Sequence, residues 1–204
     1  MQDQALIVVD VQVGFDDPAW GNRNNPACEE NIAALTDRWE QLGWPVVVVR
    51  HDSVEPRSPL RPELAGNQLK DFLRGRGDLL VSKSVHSAFS GRPDLHGWLA
   101  ERGITAVAVC GITTNHCCET TARVACDLGY RVTFIGDATA TFDRRAPSGA
   151  VIDADTLAQV SYANLAGEFA EVRDTASLLG SLPGRAADRA VSEPAARTAG
   201  PTTT

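Results

Sequence analysis

The architecture of this chain is set by residues 109–143, which read VCGITTNHCCETTARVACDLGYRVTFIGDATATFD. Apolar runs rich in β-branched residues, ITAVAVC at 104–110 and RVTFIG at 131–136, are typical of strands that helices cover on both faces. Residues 116–128 between them have a helical pattern, and Gly129 follows as a helix-ending residue. A strand, a helix and a second strand in this order predict a parallel βαβ unit.

The same alternation extends along the rest of the chain. Further strands are predicted at 5–10, 46–50, 79–82 and 169–173, and further helices at 28–42, 93–102 and 148–166. Residues 175–180 are expected to form at most one helical turn. The pattern predicts an α/β fold, a three-layer α/β/α doubly wound domain with a mainly parallel six-stranded sheet.

Composition favours a single domain that acts on small molecules. The 204 residues are 43% hydrophobic, which is enough for one sizeable core, and we predict a domain over residues 1–182. Residues 183–204 are rich in Ala, Pro, Arg and Thr, so we predict a disordered C-terminal tail there. The net charge of −7, without a basic cluster, predicts no nucleic-acid and no membrane partner.

The first residues and the cysteines bear on location. The start, MQDQALIVVD, has no basic region and too short an apolar run for a secretory signal or a membrane span. The five cysteines are odd in number and lack CxxC spacing, which fits reduced thiols. We therefore expect a cytoplasmic protein.

Three reactive residues lie at carboxyl ends of predicted strands, the edge at which open α/β sheets bind ligands. Asp10 ends the first strand, Lys83 follows the third, and Cys117 opens the helix after the fourth. A cysteine there could be a nucleophile, because the N–H groups of a helix start lower a thiol pKa and can hold an oxyanion. Each residue also has a structural interpretation. Asp10 could cap a turn, Lys83 could be an ordinary surface cation, and Cys117 could be a buried core thiol.

The histidines give no metal signature. No HxxxH or HxH spacing accompanies His51 and Asp52, and no glycine-rich phosphate loop follows a strand. His51 and His86 follow strand ends and could line a pocket, while His116, next to the cysteine, is expected as a pocket wall. We expect neither a metal nor a cofactor.

Several motifs make the sequence similar to the isochorismatase-like cysteine hydrolases. They are ALIVVDVQVGF at 5–15, RHDSVEPRSPLRPEL at 50–64, VSKSVHSAFSG at 81–91 and the stretch at 109–143. The resemblance runs through most of residues 4–173, and the last motif is highly specific. It implies an isochorismatase-like domain with a catalytic triad of Asp10, Lys83 and Cys117, the residues that the strand-end argument selects.

The resemblance also implies the surroundings of the triad. In this family a cis peptide bond precedes the cysteine, here at Ile112–Thr113, and the Thr113 and Cys117 N–H groups would form an oxyanion hole. The metal-binding branch has a DxH segment after the second strand, whereas this chain has HDS at 51–53, so that site is not carried over. The substrate-binding residues would be Phe15, Trp20, His51, Ser53, Phe89, His116 and Cys118.

The implied reaction is cleavage of a C–N bond, in an amide, ureide or lactam, through a thioester on Cys117. The implied partner is a small amide or ureide substrate, and a homo-oligomer is expected because family members commonly form one. Two alternatives stay open: a vinyl-ether hydrolase in which Asp10 protonates the substrate, and a catalytically idle binding or assembly member. The vinyl-ether branch typically lacks the cysteine, so Cys117 favours C–N cleavage.

Overall fold

Six parallel strands form the central sheet, in the order β3-β2-β1-β4-β5-β8. The computed structural model describes residues 4–184. The strands are β1 (Ala5–Val9), β2 (Val46–His51), β3 (Leu79–Lys83), β4 (Ala106–Ile112), β5 (Arg131–Ala140) and β8 (Glu171–Arg173). The chain runs outward from β1 to β3 and then returns to the other side of β1. This is the doubly wound α/β architecture that the sequence predicts, and it is confirmed.

Within residues 4–184, five α-helices cover the two faces of the sheet. They are α1 (Cys28–Leu42), α2 (Leu95–Glu101), α3 (Glu119–Asp127), α4 (Ala154–Leu165) and α5 (Thr175–Ser181). α1 and α5 contribute to one core, and α2, α3 and α4 contribute to the other. In β1, Leu6 and Val8 enter the first core while Ile7 and Val9 enter the second, because side chains of a strand alternate between faces.

The helix predicted at 148–166 begins later than the pattern suggests. It starts at Ala154, where Asp153 Oδ1 accepts the N–H of Thr156 at 2.7 Å as a helix cap. The preceding residues instead form a small antiparallel hairpin, β6 (Arg144–Arg145) and β7 (Val151–Ile152). The hairpin carries the chain across the carboxyl edge of the main sheet, near the candidate site.

Two further segments differ from the prediction. Residues 175–180 form more than a turn, because α5 is seven residues long and Asp174 caps it by accepting the Ser177 N–H at 2.7 Å. The helix predicted at 116–128 is divided: residues 114–118 form a π-helical turn, and α3 begins at Glu119. Turns of this type are frequent at functional sites.

The predicted tail falls largely outside the described residues. Residues 185–204 and 1–3 are not among them, whereas Pro183 and Gly184 follow α5 without regular structure. Between residues 4 and 184, no helix combines the length and the apolar character that a membrane crossing requires.

The carboxyl ends of β1 and β4 approach each other closely. Gly111 has a φ of 127°, and a Cβ at this position would lie 2.0 Å from the carbonyl oxygen of Val9. Only glycine fits such a conformation and such a contact. The residues that follow each strand, Asp10 and Thr113, are therefore held at one edge of the sheet.

Candidate active site

Asp10, Lys83 and Cys117 meet at the carboxyl edge of the sheet. Asp10 directly follows β1, Lys83 is the last residue of β3, and Cys117 lies in the π-helical turn after β4. Lys83 Nζ donates a hydrogen bond of 2.6 Å to Asp10 Oδ2. Cys117 Sγ lies within 4.8 Å of an Asp10 carboxylate oxygen. The structure thus brings together the three residues that the sequence proposes as a triad.

The Asp10 carboxyl group is buried and has one free acceptor. Its side chain and that of Lys83 are fully shielded from solvent, and Asp10 Oδ1 has no hydrogen-bond partner among the described residues. Burial raises the pKa of Asp10 above its ordinary value, and the Lys83 ammonium group opposes this shift. The backbone φ of 52° is also unusual for a residue other than glycine. Such a carboxylate is suited to accept a proton from a neighbouring thiol.

The Cys117 thiol is protonated in the resting protein. Burial raises its pKa to about 12, and the negative charge of Asp10 acts in the same direction. The lowered pKa expected from a helix start is therefore not found, because the π-helical turn holds the thiol in a desolvated position beside a carboxylate. A nucleophilic role for this thiol would require the loss of its proton, and Asp10 is the adjacent acceptor.

The turn that carries the cysteine is fixed by one carbonyl group. The Ile112–Thr113 peptide bond is cis, and the carbonyl oxygen of Thr113 accepts the N–H groups of His116 and Cys118 at 3.2 Å each. Thr113 and Cys117 both line the cavity described next. Their backbone N–H groups remain our proposed oxyanion hole.

A cavity of about 520 Å³ opens over Asp10 and Cys117, a size that suits a small molecule. It is lined by Asp10, Phe15, Asp17, Ala19, Trp20, His51, Ser53, Glu55, Arg57, Ser58, Pro59, Leu60, His86, Thr113, His116, Cys117 and Arg144. Five of the seven proposed substrate-binding residues are in this set: Phe15, Trp20, His51, Ser53 and His116. Phe15 and Trp20 form an apolar wall, with ring centroids 5.2 Å apart.

The other two proposed substrate-binding residues, Phe89 and Cys118, do not line the cavity. Cys118 is fully buried in the core on the α3 side of the sheet, because consecutive residues of a helical turn point in different directions. Phe89 stacks on Tyr130, with ring centroids 5.7 Å apart, and packs against the same core. Both positions correct the pocket expected from the sequence.

The structure adds residues to the cavity that the sequence analysis did not select. Arg144 lies in β6, a few residues beyond the carboxyl end of β5, and its Nη2 is 3.0 Å from His116 Nδ1. The strand-end argument, if applied to β5, would have pointed to this position. His86, expected only as a possible pocket residue, has Nδ1 at 3.9 Å from Cys117 Sγ.

Gln12 connects two segments that surround the site, and the sequence analysis did not select it. Its side-chain amide is fully buried, and Nε2 donates to the carbonyl oxygens of His51 at 3.0 Å and Asn67 at 2.8 Å. Its Oε1 accepts the N–H of His51 at 2.8 Å. The amide therefore links the end of β2 to the long loop at 52–78, between β2 and β3, which forms one wall of the cavity.

Three side chains could offer ligand atoms to a metal ion: Asp10, His51 and Cys117, whose donor atoms lie within 4.8 Å of one another. The Lys83 ammonium group, however, lies within this group of donors, 2.6 Å from Asp10 Oδ2 and 3.0 Å from His51 Nδ1. Asp52 is also committed, since its carboxylate accepts from Arg50 Nε at 2.9 Å. A buried cation among the donors makes this set a poor fit for a divalent metal.

Comparison with known proteins agrees with this geometry. A family model described as the isochorismatase domain matches residues 4–177, which include the whole sheet and every residue of the site. The chain belongs to the isochorismatase family of hydrolases. The similarity to isochorismatase-like cysteine hydrolases seen in the sequence is therefore confirmed.

Relatives within the isochorismatase family cover nearly the full length of the chain. The uncharacterised isochorismatase family protein YrdC of Bacillus subtilis is 38% identical over 179 residues, covering 87% of this chain and 95% of the relative. Nicotinamidase 3 of Arabidopsis thaliana is 30% identical, with 88% and 89% covered. A crystal structure of an isochorismatase-family protein from Chromobacterium violaceum superimposes with a TM-score of 0.83 at 35% identity, covering 89% of this chain and 94% of that one.

Proposed function

We propose that this isochorismatase-family hydrolase cleaves a C–N bond of a small amide, ureide or lactam through a thioester on Cys117. The observation that carries the proposal is the buried Cys117 thiol, which lines the cavity next to an Asp10 carboxylate held by Lys83. The similarity to a nicotinamidase supports an amide substrate.

The first step transfers one proton and forms one bond. Asp10 accepts the thiol proton of Cys117, and the sulfur attacks the substrate carbonyl carbon, which becomes tetrahedral and places a negative charge on oxygen. Because burial raises the pKa of Asp10, the carboxylate is a stronger base than an exposed one. The N–H groups of Thr113 and Cys117 hold the oxyanion in this proposal.

The second half of the reaction returns the proton and the thiol. Protonated Asp10 donates to the substrate nitrogen, the C–N bond breaks, and ammonia or an amine leaves with the thioester remaining. Water then attacks the thioester, Asp10 accepts the water proton and passes it to the departing sulfur, and the acid product is released. Lys83 keeps Asp10 oriented through the 2.6 Å hydrogen bond.

A substrate panel with trapping of the intermediate tests this function. We expect ammonia release from at least one small amide or ureide, and acid quenching during turnover should leave an acyl group on the peptide that contains Cys117.

The same assay after dialysis against a chelator should give an unchanged rate, since Lys83 fills the place a metal would need. Activity that is lost and then restored by zinc would assign Asp10, His51 and Cys117 to a metal instead.

The panel also separates the alternatives. Turnover of a vinyl ether, with no acyl group on Cys117, would make Asp10 an acid and the cysteine a bystander. Binding of panel compounds without turnover of any would favour a binding or assembly role.

A further inference from the structure

Arg144 carries a positive charge into the cavity without an anionic partner. It is half-buried, and its only side-chain hydrogen bond among residues 4–184 joins Nη2 to His116 Nδ1 at 3.0 Å. Its Nε is buried and has no hydrogen-bond partner in the described part of the chain. No Asp or Glu within that part forms an ion pair with it.

His116 does not neutralise this charge. Burial lowers the pKa of His116 to about 4, and the nearby Arg144 guanidinium acts in the same direction, so the imidazole is neutral at pH 7. Its Nδ1 accepts an N–H of the guanidinium. A half-buried cation with an unused donor is costly unless a ligand supplies the missing acceptor.

Three other charged residues that line the cavity do not offer a buried, unpaired positive charge. Asp17 accepts the N–H of Ala19 at 2.9 Å, and Glu55 and Arg57 are exposed residues of the long loop. Exposed charges are screened by salt and solvent, whereas Arg144 holds its donor in a buried position.

We propose that Arg144 binds a carboxylate group of the substrate, so that the substrate class is a small amido or ureido acid. This inference rests on the proposed function, because it assigns the second functional group of the molecule that Cys117 attacks. A guanidinium group presents two parallel N–H donors that match a carboxylate. Arg144 contacts His116, the residue before Cys117, so a short substrate can reach both groups within about 520 Å³.

Matched pairs of compounds test the assignment. Succinamate and ureidoacetate would each be compared with a neutral counterpart, methyl succinamate and methyl ureidoacetate, by kcat/KM for release of ammonia. We expect the wild-type protein to prefer the acid in each pair. Arg144→Gln should reduce this preference about tenfold or more, mainly through KM, and Arg144→Lys should restore part of it because it keeps the charge without the planar fork.

Arg145 supplies the matched control. It lies next to Arg144 in β6 and has the same charge, but it is exposed and donates to the Gly149 carbonyl oxygen instead. Arg145→Gln should keep the wild-type preference for the acid. Equal turnover of acid and neutral compounds by the wild type, or an unchanged preference in Arg144→Gln, would overturn the proposal.

A binding measurement separates this inference from the proposed function. Calorimetry with succinamate on the Cys117→Ala protein should show binding that Arg144→Gln abolishes. Binding of this kind without an acyl group on Cys117 in the wild type would support the anion site and remove the thioester mechanism. Acyl formation from acidic and neutral compounds at equal rates would keep the mechanism and remove the anion site.

Discussion

At the scale of single residues, the proposed reaction depends on one proton that Cys117 and Asp10 exchange. Burial raises the pKa of both Asp10 and Cys117, so each group holds a proton more readily than it would in water. Lys83 stabilises the negative charge whichever of the two groups carries it. A protonated resting thiol also reacts slowly with alkylating and oxidising agents, because the thiolate is the reactive form.

The adjacent pair Cys117 and Cys118 gives a direct test of the nucleophile. Cys117→Ala should lower kcat for amide hydrolysis by about 10⁴-fold or more, because it removes the nucleophile. Cys118→Ala should leave kcat within a few-fold but reduce the free energy of unfolding by about 1–2 kcal/mol, since this side chain is packed in the core. Steady-state ammonia release and urea unfolding measure the two effects. If Cys117→Ala hydrolyses amides at nearly the wild-type rate, acid catalysis by Asp10 becomes the better explanation.

Sequence reasoning finds residues of the site whose position follows from the strand ends alone. Asp10 and Lys83 adjoin strands that are recognisable by their apolar runs, so their common edge can be predicted. Cys118 and Phe89 could not be excluded, because the direction of a side chain depends on the local turn. Arg144 lies a few residues beyond the carboxyl end of β5, and only the folded hairpin shows that it lines the cavity.

At the scale of elements, the cavity wall depends on the cross-link that Gln12 makes between β1, β2 and the long loop. Gln12→Leu keeps the approximate volume but leaves the His51 N–H and the Asn67 carbonyl without this partner. We expect the free energy of unfolding to fall by roughly 1–3 kcal/mol for each group left unpaired, and kcat to fall because His51 and the loop shift. Urea unfolding and turnover of the best substrate measure both.

Gln68 is the control for this cross-link. It is exposed, and its Oε1 accepts only from Arg74 at 3.1 Å among the contacts of its side chain in the described chain. Gln68→Ala should change the free energy of unfolding by no more than about 0.5 kcal/mol. Equal effects of the two substitutions would show that the Gln12 amide does not support the site.

Elements with a strong local pattern were predictable, and those set by tertiary contacts were not. α1 spans residues 28–42 as predicted, because it has regular apolar spacing and ends at Gly43 in a left-handed conformation. The sequence at 114–118 has no local feature that distinguishes a π-helical turn from the start of an α-helix. The start of α4 could have been found from Asp153, whose capping position precedes Ala154.

At the scale of the whole molecule, two half-buried histidines make stability depend on pH. Burial lowers the pKa of both His51 and His116 from 6.5 to about 4. As pH falls below about 6.5, the unfolded chain binds protons that the folded protein does not, so the free energy of unfolding decreases between about pH 6.5 and 4. Below that window these two groups cause no further loss.

Unfolding in urea at a series of pH values measures this dependence. Each histidine should contribute about one proton to the slope, and His51→Gln or His116→Gln should each reduce the slope between pH 6.5 and 5. Asp10 acts in the opposite direction, since its pKa is raised, and Glu29, with a pKa lowered to about 2, acts only at more acidic pH. A slope that both substitutions leave unchanged would contradict the assignment.

The domain boundary, the homo-oligomer and the cytoplasmic location stay predictions from the sequence.

The aromatic wall of the cavity has an optical consequence. Of the four tryptophans, Trp20 alone lines the cavity, where its indole N–H donates to the Gly14 carbonyl oxygen at 2.8 Å and its ring lies near Phe15 and Phe142. Trp39, in α1, packs against Trp44, and Trp98 lies under the Arg102 guanidinium. A molecule that enters the cavity changes the surroundings of one chromophore and leaves three as an internal reference. The intrinsic fluorescence of the unlabelled protein is therefore a built-in signal of occupancy, readable even for compounds that are never turned over.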